Sequence, residues 1–379
     1  MKLKFNKLIY ITYQVFPSRK ANSLQTIRML ENFKKQRLEV SLFFPNRGKF
    51  SKEKKIIEDF YNIEQTFEIE SLKHYLPFNA LPFFNKFNFL ISSFIWSLYA
   101  TWKLTPKIAS SDLLMTRTHW VLLFFSHKTN LIVYECHKYS KIENLIFKFI
   151  KNKSKIILIF TNELLKKQYK LSDNLNSNSL ILESSFDERY FSKKYPNKIN
   201  NRVLFAGNLL RFNKSRNLDF LLNAFDSPEL SEYELFIIGG PDQEYKKFSD
   251  FKSKNIFFLG PLSNKNTINE MRKAEIGILI NSPDNHSKFF TSPIKYFEYL
   301  RSNLKIVAID FPSHRNLPFL ENVYFYNNSD KFSFINAIKT ASSNEFKIIK
   351  DLNSFSYESR VKKILKVSAR LEGLEPPTL

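Results

Sequence analysis

The sequence predicts a doubly wound α/β chain, and three observations carry that expectation. Apolar runs of strand length end on glycine three times, as VLFAG, LFIIGG and NIFFLG. Glycine is otherwise scarce: seven residues in 379, five of them between Gly207 and Gly277. Against an average usage of roughly 7%, each is expected where backbone must turn tightly or approach a ligand. Helix-length segments separate the runs, the rhythm of a sheet whose ligands lie beyond the carboxyl ends of its strands.

The N-terminal half repeats the rhythm. KLIYITYQVF reads as a strand leading into the loop PSRKANS, where Asn22 or Ser23 can cap a helix with apolar positions at Leu24, Ile27, Leu30 and Phe33. LEVSLFFP returns as a strand, and residues 46–85 carry no assignable pattern. From Phe87 to Trp102 the chain is uncharged, shorter than the roughly 20 residues that span a bilayer. A buried helix is the leading reading and an interfacial helix facing lipid the second. DLLMTRTHW, NLIVYECHKY and KIILIFTN follow as strand-to-loop units, and LILESSF as a last strand. These boundaries predict an N-terminal domain over 1–192, a C-terminal domain over 193–350, a terminal helix over 351–369 and a tail over 370–379.

Composition limits the function classes. The formal charge is +22 and 43% of residues are hydrophobic, enough for two real cores. A basic balance favours anionic partners, but no nucleic-acid-binding signature is present. A phosphorylated substrate and an anionic membrane surface are therefore expected ahead of nucleic acid. Cys136 is the only cysteine, which excludes an intramolecular disulfide and a cysteine metal cluster. The six histidines show no ligand spacing, so no metal and no other cofactor is expected. Gln14 interrupts the apolar N-terminus and no cleavage site follows, which predicts residence in the cytoplasm; the basic balance and the uncharged Phe87–Trp102 stretch add an expected contact at the inner face of its membrane.

The densest chemistry lies in FFTSPIKYFEYL. Ser292 followed by Pro293 predicts an N-cap and first helical residue, whose bare N–H groups favour an anion. Lys295 and Glu298 then share one helical face. A helix N-terminus with a lysine suits a diphosphate, and a carboxylate one turn on suits ribose hydroxyls. A solvated surface ion pair is the alternative. The run lies between the strands AEIGILI and LKIVAID, and that context supports the ligand reading.

In order and spacing, PSRKANS, the Gly207 turn, FIIGG, NIFFLGPLS, TSPIKYFEYL and VAIDFPSHR resemble the retaining glycosyltransferases of family 4 over nearly the whole chain. The resemblance implies the GT-B architecture: two facing Rossmann-like domains, a C-terminal helix packing back, a nucleotide-sugar on the C-terminal domain and the acceptor on the other. It implies a hexosyltransferase that moves a sugar from a nucleotide-diphosphate donor to a cell-envelope polysaccharide or lipid-linked acceptor. Glu298 matches the second glutamate of the family's E-x7-E motif, while Phe290 stands where the first is expected. The family's phosphate-binding Arg and Lys fall in the loop after Gly207, where Asn208 replaces the arginine and Arg211, Lys214 or Arg216 become candidates. Gly207, Gly239 and Gly240 would line the donor, and Ser313 and His314 border it unless DFPSHR is a plain loop. On the acceptor side the resemblance puts His137 at a strand tip touching the sugar, with Arg117 and Asn22 as weaker candidates.

The chain has no DxD triplet, so a helix N-terminus and cations are expected to stabilise the leaving diphosphate without a metal. Glu135 is the one carboxylate in the acceptor-side loops, and strand alternation assigns it to the side of His137, in the sheet rather than behind the sugar. That inventory and the resemblance predict retention. A non-catalytic, membrane-associated scaffold of the same fold is the competing reading, motivated by Phe290 and Asn208. An epimerase would require converging acid/base groups that the sequence does not offer.

Overall fold

A computed structural model describes residues 5–76, 85–128, 130–191, 197–211, 214–240, 251 and 253–373. Two compact units divide the chain: 1–161 with 165–182 and 357–379, and 162–164 with 183–356.

The first unit is built on a seven-stranded sheet. Its strands are β1 (Lys7–Ile11), β2 (Glu39–Pro45), β3 (Glu68–Leu72), β4 (Leu113–Thr116), β5 (Ile132–Cys136), β6 (Ile156–Phe160) and β7 (Ser179–Ile181). They run parallel in the order β3-β2-β1-β4-β5-β6-β7. The strand order reverses between β1 and β4, as a doubly wound sheet requires. Every residue of β5 and β6 is buried, which is why β6 reads as one continuous apolar run and β5 departs from one only at Glu135. The last helix, Tyr357–Leu371, returns to this unit and buries Tyr357, Val361, Ile364 and Leu365 in its core beside Ile27, Leu30 and Phe33 of the helix Ala21–Lys35. That i, i+4, i+7 stripe is the reason a segment so far along the chain belongs here.

The second unit holds β8 (Arg202–Ala206), the hairpin β9–β10 (Leu210–Arg211, Lys214–Ser215), β11 (Glu234–Ile238), β12 (Ile256–Gly260), β13 (Ile276–Leu279), β14 (Lys305–Ile309) and β15 (Val323–Tyr326). The six-stranded sheet is parallel in the order β12-β11-β8-β13-β14-β15 and reverses between β8 and β13. Alternation along each strand feeds two cores. Val203, Phe205, Val307 and Ile309 pack on one face, and Leu204, Ala206, Ile306 and Ala308 on the other.

The reversal leaves a seam. β13 pairs with β8 only at Ile276–Val203 and Gly277–Leu204. Beyond that rung the Tyr299 hydroxyl enters the gap, accepting from the Ala206 N–H at 3.0 Å and donating to the Ile278 carbonyl at 3.3 Å. Its ring lies against Gly277, where a Cβ would sit 2.7 Å from it. Gly239 serves another close approach: its φ is +149°, and a Cβ there would fall 1.6 Å from the Gly207 carbonyl oxygen. Among these scarce glycines the observed demands at Gly239 and Gly277 are thus backbone and ring packing.

Several local expectations are corrected. Residues 46–85 include a helix, Lys54–Tyr61, and the edge strand β3. DFPSHR is the short helix Pro312–Arg315 rather than a plain loop. Trp120 and His119 already belong to a helix, His119–Phe125. Neither Asn22 nor Ser23 caps the first helix; Lys20 is its N-cap, and the Ser23 hydroxyl donates to the Val15 carbonyl instead. The uncharged stretch lies in the helix Asn85–Leu104, but it is not buried on all sides, because Phe87, Leu98 and Trp102 are exposed. No helix among the described residues is long and apolar enough to cross a membrane.

Replacing Tyr299 by Phe removes the seam's hydroxyl and leaves the buried Ala206 N–H without its partner. Such an orphaned donor costs about 1–3 kcal/mol. Urea unfolding followed by far-UV circular dichroism should show that loss, with the native spectrum retained in the absence of denaturant.

Candidate active site

In the second unit the candidate residues gather at the carboxyl ends of β8, β11 and β13. After β13 and a short helix, Asn285–Phe289, comes the helix Ile294–Arg301, with Pro293 as N-cap and no side-chain cap. This corrects the expected roles of Ser292 and Pro293 by one position. The Ser292 hydroxyl accepts from the Ser184 N–H at 2.8 Å, and the Ser184 hydroxyl donates to the Ser292 carbonyl, so Ser292 is held by Ser184 and does not face the helix end. Tyr296, Phe297, Tyr299 and Leu300 form the buried face. Lys295 and Glu298 therefore turn to the other side, where they form an ion pair at 2.5 Å with side chains 29% and 16% exposed.

Gly207 lies under the Arg216 guanidinium: a Cβ at Gly207 would be 3.2 Å from Arg216 Nη1, which also donates to the Asn208 carbonyl at 3.4 Å. The same cation acts electrostatically on the Tyr299 hydroxyl. Of the three loop cations named from the sequence, Arg216 is thus at the β8 turn. The Arg211 and Lys214 backbones pair in the hairpin, and their side chains lie outside the described residues. Gly240, at φ +72°, continues the turn begun at Gly239. Asn217, also left-handed at φ +61°, donates from its amide to the Asn281 carbonyl at 3.2 Å, tying the β8 loop to the end of β13. Phe290, in place of an expected acid, sets its ring 6.1 Å from Phe289.

Ser313 and His314 are almost fully buried. Ser313 donates to the Ser287 carbonyl at 2.9 Å, and the His314 ring nitrogen Nδ1 lies 2.8 Å from the Ile309 carbonyl. Burial pushes the His314 imidazole down to about 4, so it is neutral at physiological pH. Both residues are packing groups of the turn after β14.

The first unit brings together a separate set at the ends of β4 and β5. Glu135, on β5 with a fully buried side chain, takes Arg117 Nε at 2.6 Å and Arg360 Nη2 at 2.8 Å. Arg360 comes from the last helix and also donates to the Leu182 carbonyl at 2.8 Å. Arg117, just past β4, donates on to the Asn22 carbonyl at 3.3 Å, so Asn22 engages through its backbone. The Asn22 side chain accepts from the neighbouring Ser23 N–H. His137 lies 3.7 Å from Glu135, on the same side of the strand as alternation requires, with its side chain 32% exposed. Burial alone would raise the Glu135 carboxyl. Arg117, the adjacent His137 and Arg360 together outweigh it and hold the carboxyl well below the usual range. Burial and then Arg117 push the His137 imidazole down to about 4 against the pull of Glu135. Above that pH this histidine is a neutral hydrogen-bonding group beside a locked carboxylate.

Tyr299 and Arg360 were missed from the sequence. Tyr299 adjoins Glu298, but its hydroxyl's place in the seam depends on two strands far back in the chain. The signal for Arg360 was a lone basic residue on the apolar stripe Tyr357, Val361, Ile364.

No family model and no curated protein matches the sequence. Solved structures match its fold along nearly its whole length. The pneumococcal O-GlcNAc transferase GtfA, solved with UDP and GlcNAc, superposes with a TM-score of 0.65 at 11% identity, over 97% of this chain and 99% of that one. A glycosyltransferase from Rickettsia africae gives 0.64 at 11% identity over 98% and 100%. The lipopolysaccharide outer core galactosyltransferase WaaB gives 0.62 at 12% identity over 95% and 98%. The chain has the GT-B fold, with two Rossmann-like sheets of seven and six parallel strands.

Glu135→Gln keeps the shape but leaves two buried arginines without their counter-charge, a loss of about 3–5 kcal/mol. All three tryptophans, Trp96, Trp102 and Trp120, belong to this unit, so fluorescence-monitored unfolding reads it directly. In the wild type the Glu135 carboxyl titrates lower folded than unfolded. Its contribution is therefore complete above the unfolded value of about 4.3 and disappears as pH falls below it. The variant's stability deficit should shrink over that acid window.

Proposed function

We propose that the chain is a glycosyltransferase of the hexosyltransferase type. It would take a sugar from a nucleotide-diphosphate donor and pass it to a cell-envelope glycan or lipid-linked acceptor, with retention and without a metal. The observation that carries this reading is the helix Ile294–Arg301 at the sheet reversal of a GT-B fold, uncapped by any side chain and turning Lys295 and Glu298 to one side. GtfA was solved with UDP, and WaaB is named for lipopolysaccharide; both support the substrate classes.

In this mechanism the helix N-terminus and Lys295 neutralise the departing diphosphate, and Arg216 beside Gly207 adds a second cation. Glu298 receives the ribose hydroxyls. The acceptor hydroxyl attacks from the face the diphosphate leaves, and that phosphate accepts its proton. Retention is supported by the state of Glu135: a carboxylate fixed by two arginines at 0% side-chain exposure is a poor general base. His137, neutral and part-exposed, suits a hydrogen bond to an uncharged sugar hydroxyl. Arg211 and Lys214 remain proposed phosphate contacts. The Lys295–Glu298 pair also satisfies itself, which is what a non-catalytic scaffold of this fold would retain.

Calorimetry with UDP and GDP separates the two readings. Glu298→Ala should bind nucleoside diphosphate at least tenfold more weakly with its unfolding midpoint unchanged; equal affinity removes Glu298 from the site, and no binding by the wild type favours the scaffold.

With a competent donor found, transfer should proceed undiminished in EDTA, and the anomeric coupling constant of the product should match that of the donor. Activity restored only by Mg²⁺ or Mn²⁺, or an inverted linkage, overturns the metal-free retaining mechanism.

A further inference from the structure

The helix Asn85–Leu104 wears its polarity inside out. Its buried positions include Asn88, Ser92, Ser93 and Ser97, each at most 4% exposed, with Trp96 and Ala100. Ser92 explains part of this: its hydroxyl donates to the Leu76 carbonyl at 2.6 Å and meets the Tyr13 hydroxyl at 2.6 Å, beside His74. The outer positions are Phe87, Phe94, Leu98 and Trp102, at 60%, 38%, 50% and 73% exposure. Steps of seven, four and four residues align them in one stripe. Neighbouring rings widen it: Tyr75 lies 5.0 Å from Tyr99, Tyr99 lies 6.1 Å from Trp102, and Trp120 lies 5.1 Å from Phe94.

The segment that carries this face has charges of one sign in its sequence. From residue 71 to 111 the sequence contains no Asp or Glu and four lysines, at 73, 86, 103 and 107. The Lys73 ammonium stands 4.4 Å over the exposed Tyr75 ring, and Lys107 is 56% exposed, with Glu70 at 3.9 Å as its acidic neighbour. We propose that this face docks flat on an anionic lipid bilayer, the stripe entering the interfacial region and the lysines meeting the headgroups. A helix of 20 residues is about 30 Å long. Lying in plane, it would seat its tryptophan and tyrosines at the depth those side chains favour. Lysines near such a surface are drawn to its negative potential. Self-association through the same face is disfavoured, because a two-fold contact would bring two sets of lysines together. The proposal is independent of the transfer chemistry.

Flotation of the full chain with phosphatidylglycerol-containing vesicles tests it against phosphatidylcholine vesicles. Binding should be at least tenfold stronger to the anionic vesicles and fall as salt is raised. Phe87→Ser, Leu98→Ser and Trp102→Ser combined should abolish it while the unfolding midpoint holds, these side chains being at least half exposed. Brominated lipids should quench wild-type fluorescence, and Trp102→Phe should weaken that quenching yet still float. Equal binding to neutral vesicles, flotation indifferent to the triple variant, or a dimer dispersed by it without vesicle binding would each overturn the proposal.

Discussion

A parallel sheet that reverses its strand order must lose backbone pairing where the order turns, and the second unit is organised around that loss. Strands β8 and β13 part after Gly277, leaving the Ala206 N–H and Ile278 carbonyl to find partners elsewhere. One phenol supplies both. Its ring fits because position 277 has no side chain, and its helix is fixed in rotation by the fit. With Tyr296, Phe297, Tyr299 and Leu300 forming the buried face of this helix, Glu298 falls opposite that face and Lys295 beyond its edge at 100° per residue. The orientation of the candidate donor residues is thus a consequence of how the sheet is closed, and changes to the seam are expected to reach the site through helix rotation.

The first unit meets a harder electrostatic constraint. Glu135, Arg117 and Arg360 gather two cations and one anion in a nearly water-free setting, an arrangement worth keeping only where each charge is also hydrogen-bonded. Carbonyls of Leu182 and Asn22 supply part of that solvation. The cluster joins the ends of two central strands to the last helix, so the chain's C-terminal segment completes the first sheet's charge balance as well as its apolar core. It also decides what His137 is. Against a free carboxylate an imidazole would be drawn toward protonation, but Arg117 and burial prevail and leave it neutral.

Much of the framework was legible because its signals are local. Continuous apolar runs marked the central strands, and the stripe Tyr357, Val361, Ile364 marked the last helix. The same locality misplaced the caps. Ser292 has the chemistry of a capping residue, yet a serine more than a hundred residues earlier holds it. Ser23 likewise turns to the Val15 carbonyl. Residues 54–72 hid a helix and an edge strand because an edge strand buries little and alternates weakly; in β3 only Leu72 is buried. The Glu135–Arg360 contact spans 225 residues and has no sequence signature beyond one cation in an apolar stripe.

An uncharged run is ambiguous in a more instructive way. It can be uncharged because all of it is buried or because its outer face meets something apolar, and the count of charges does not distinguish the two. The phase of its small polar residues does. Asn88, Ser92, Ser93 and Ser97 recur at helical spacing within the run, and a small polar residue in a helix interior is tolerated where packing is close, the more so where it is bonded as Ser92 is. They therefore mark the inward face, beside Tyr13 and His74, and force the large side chains of the run outward. Folding accounts for Ser92 but gives no reason for Phe87, Leu98 and Trp102 to be large and apolar at exposed positions, and a contiguous apolar patch of this kind is a mark of an interaction surface.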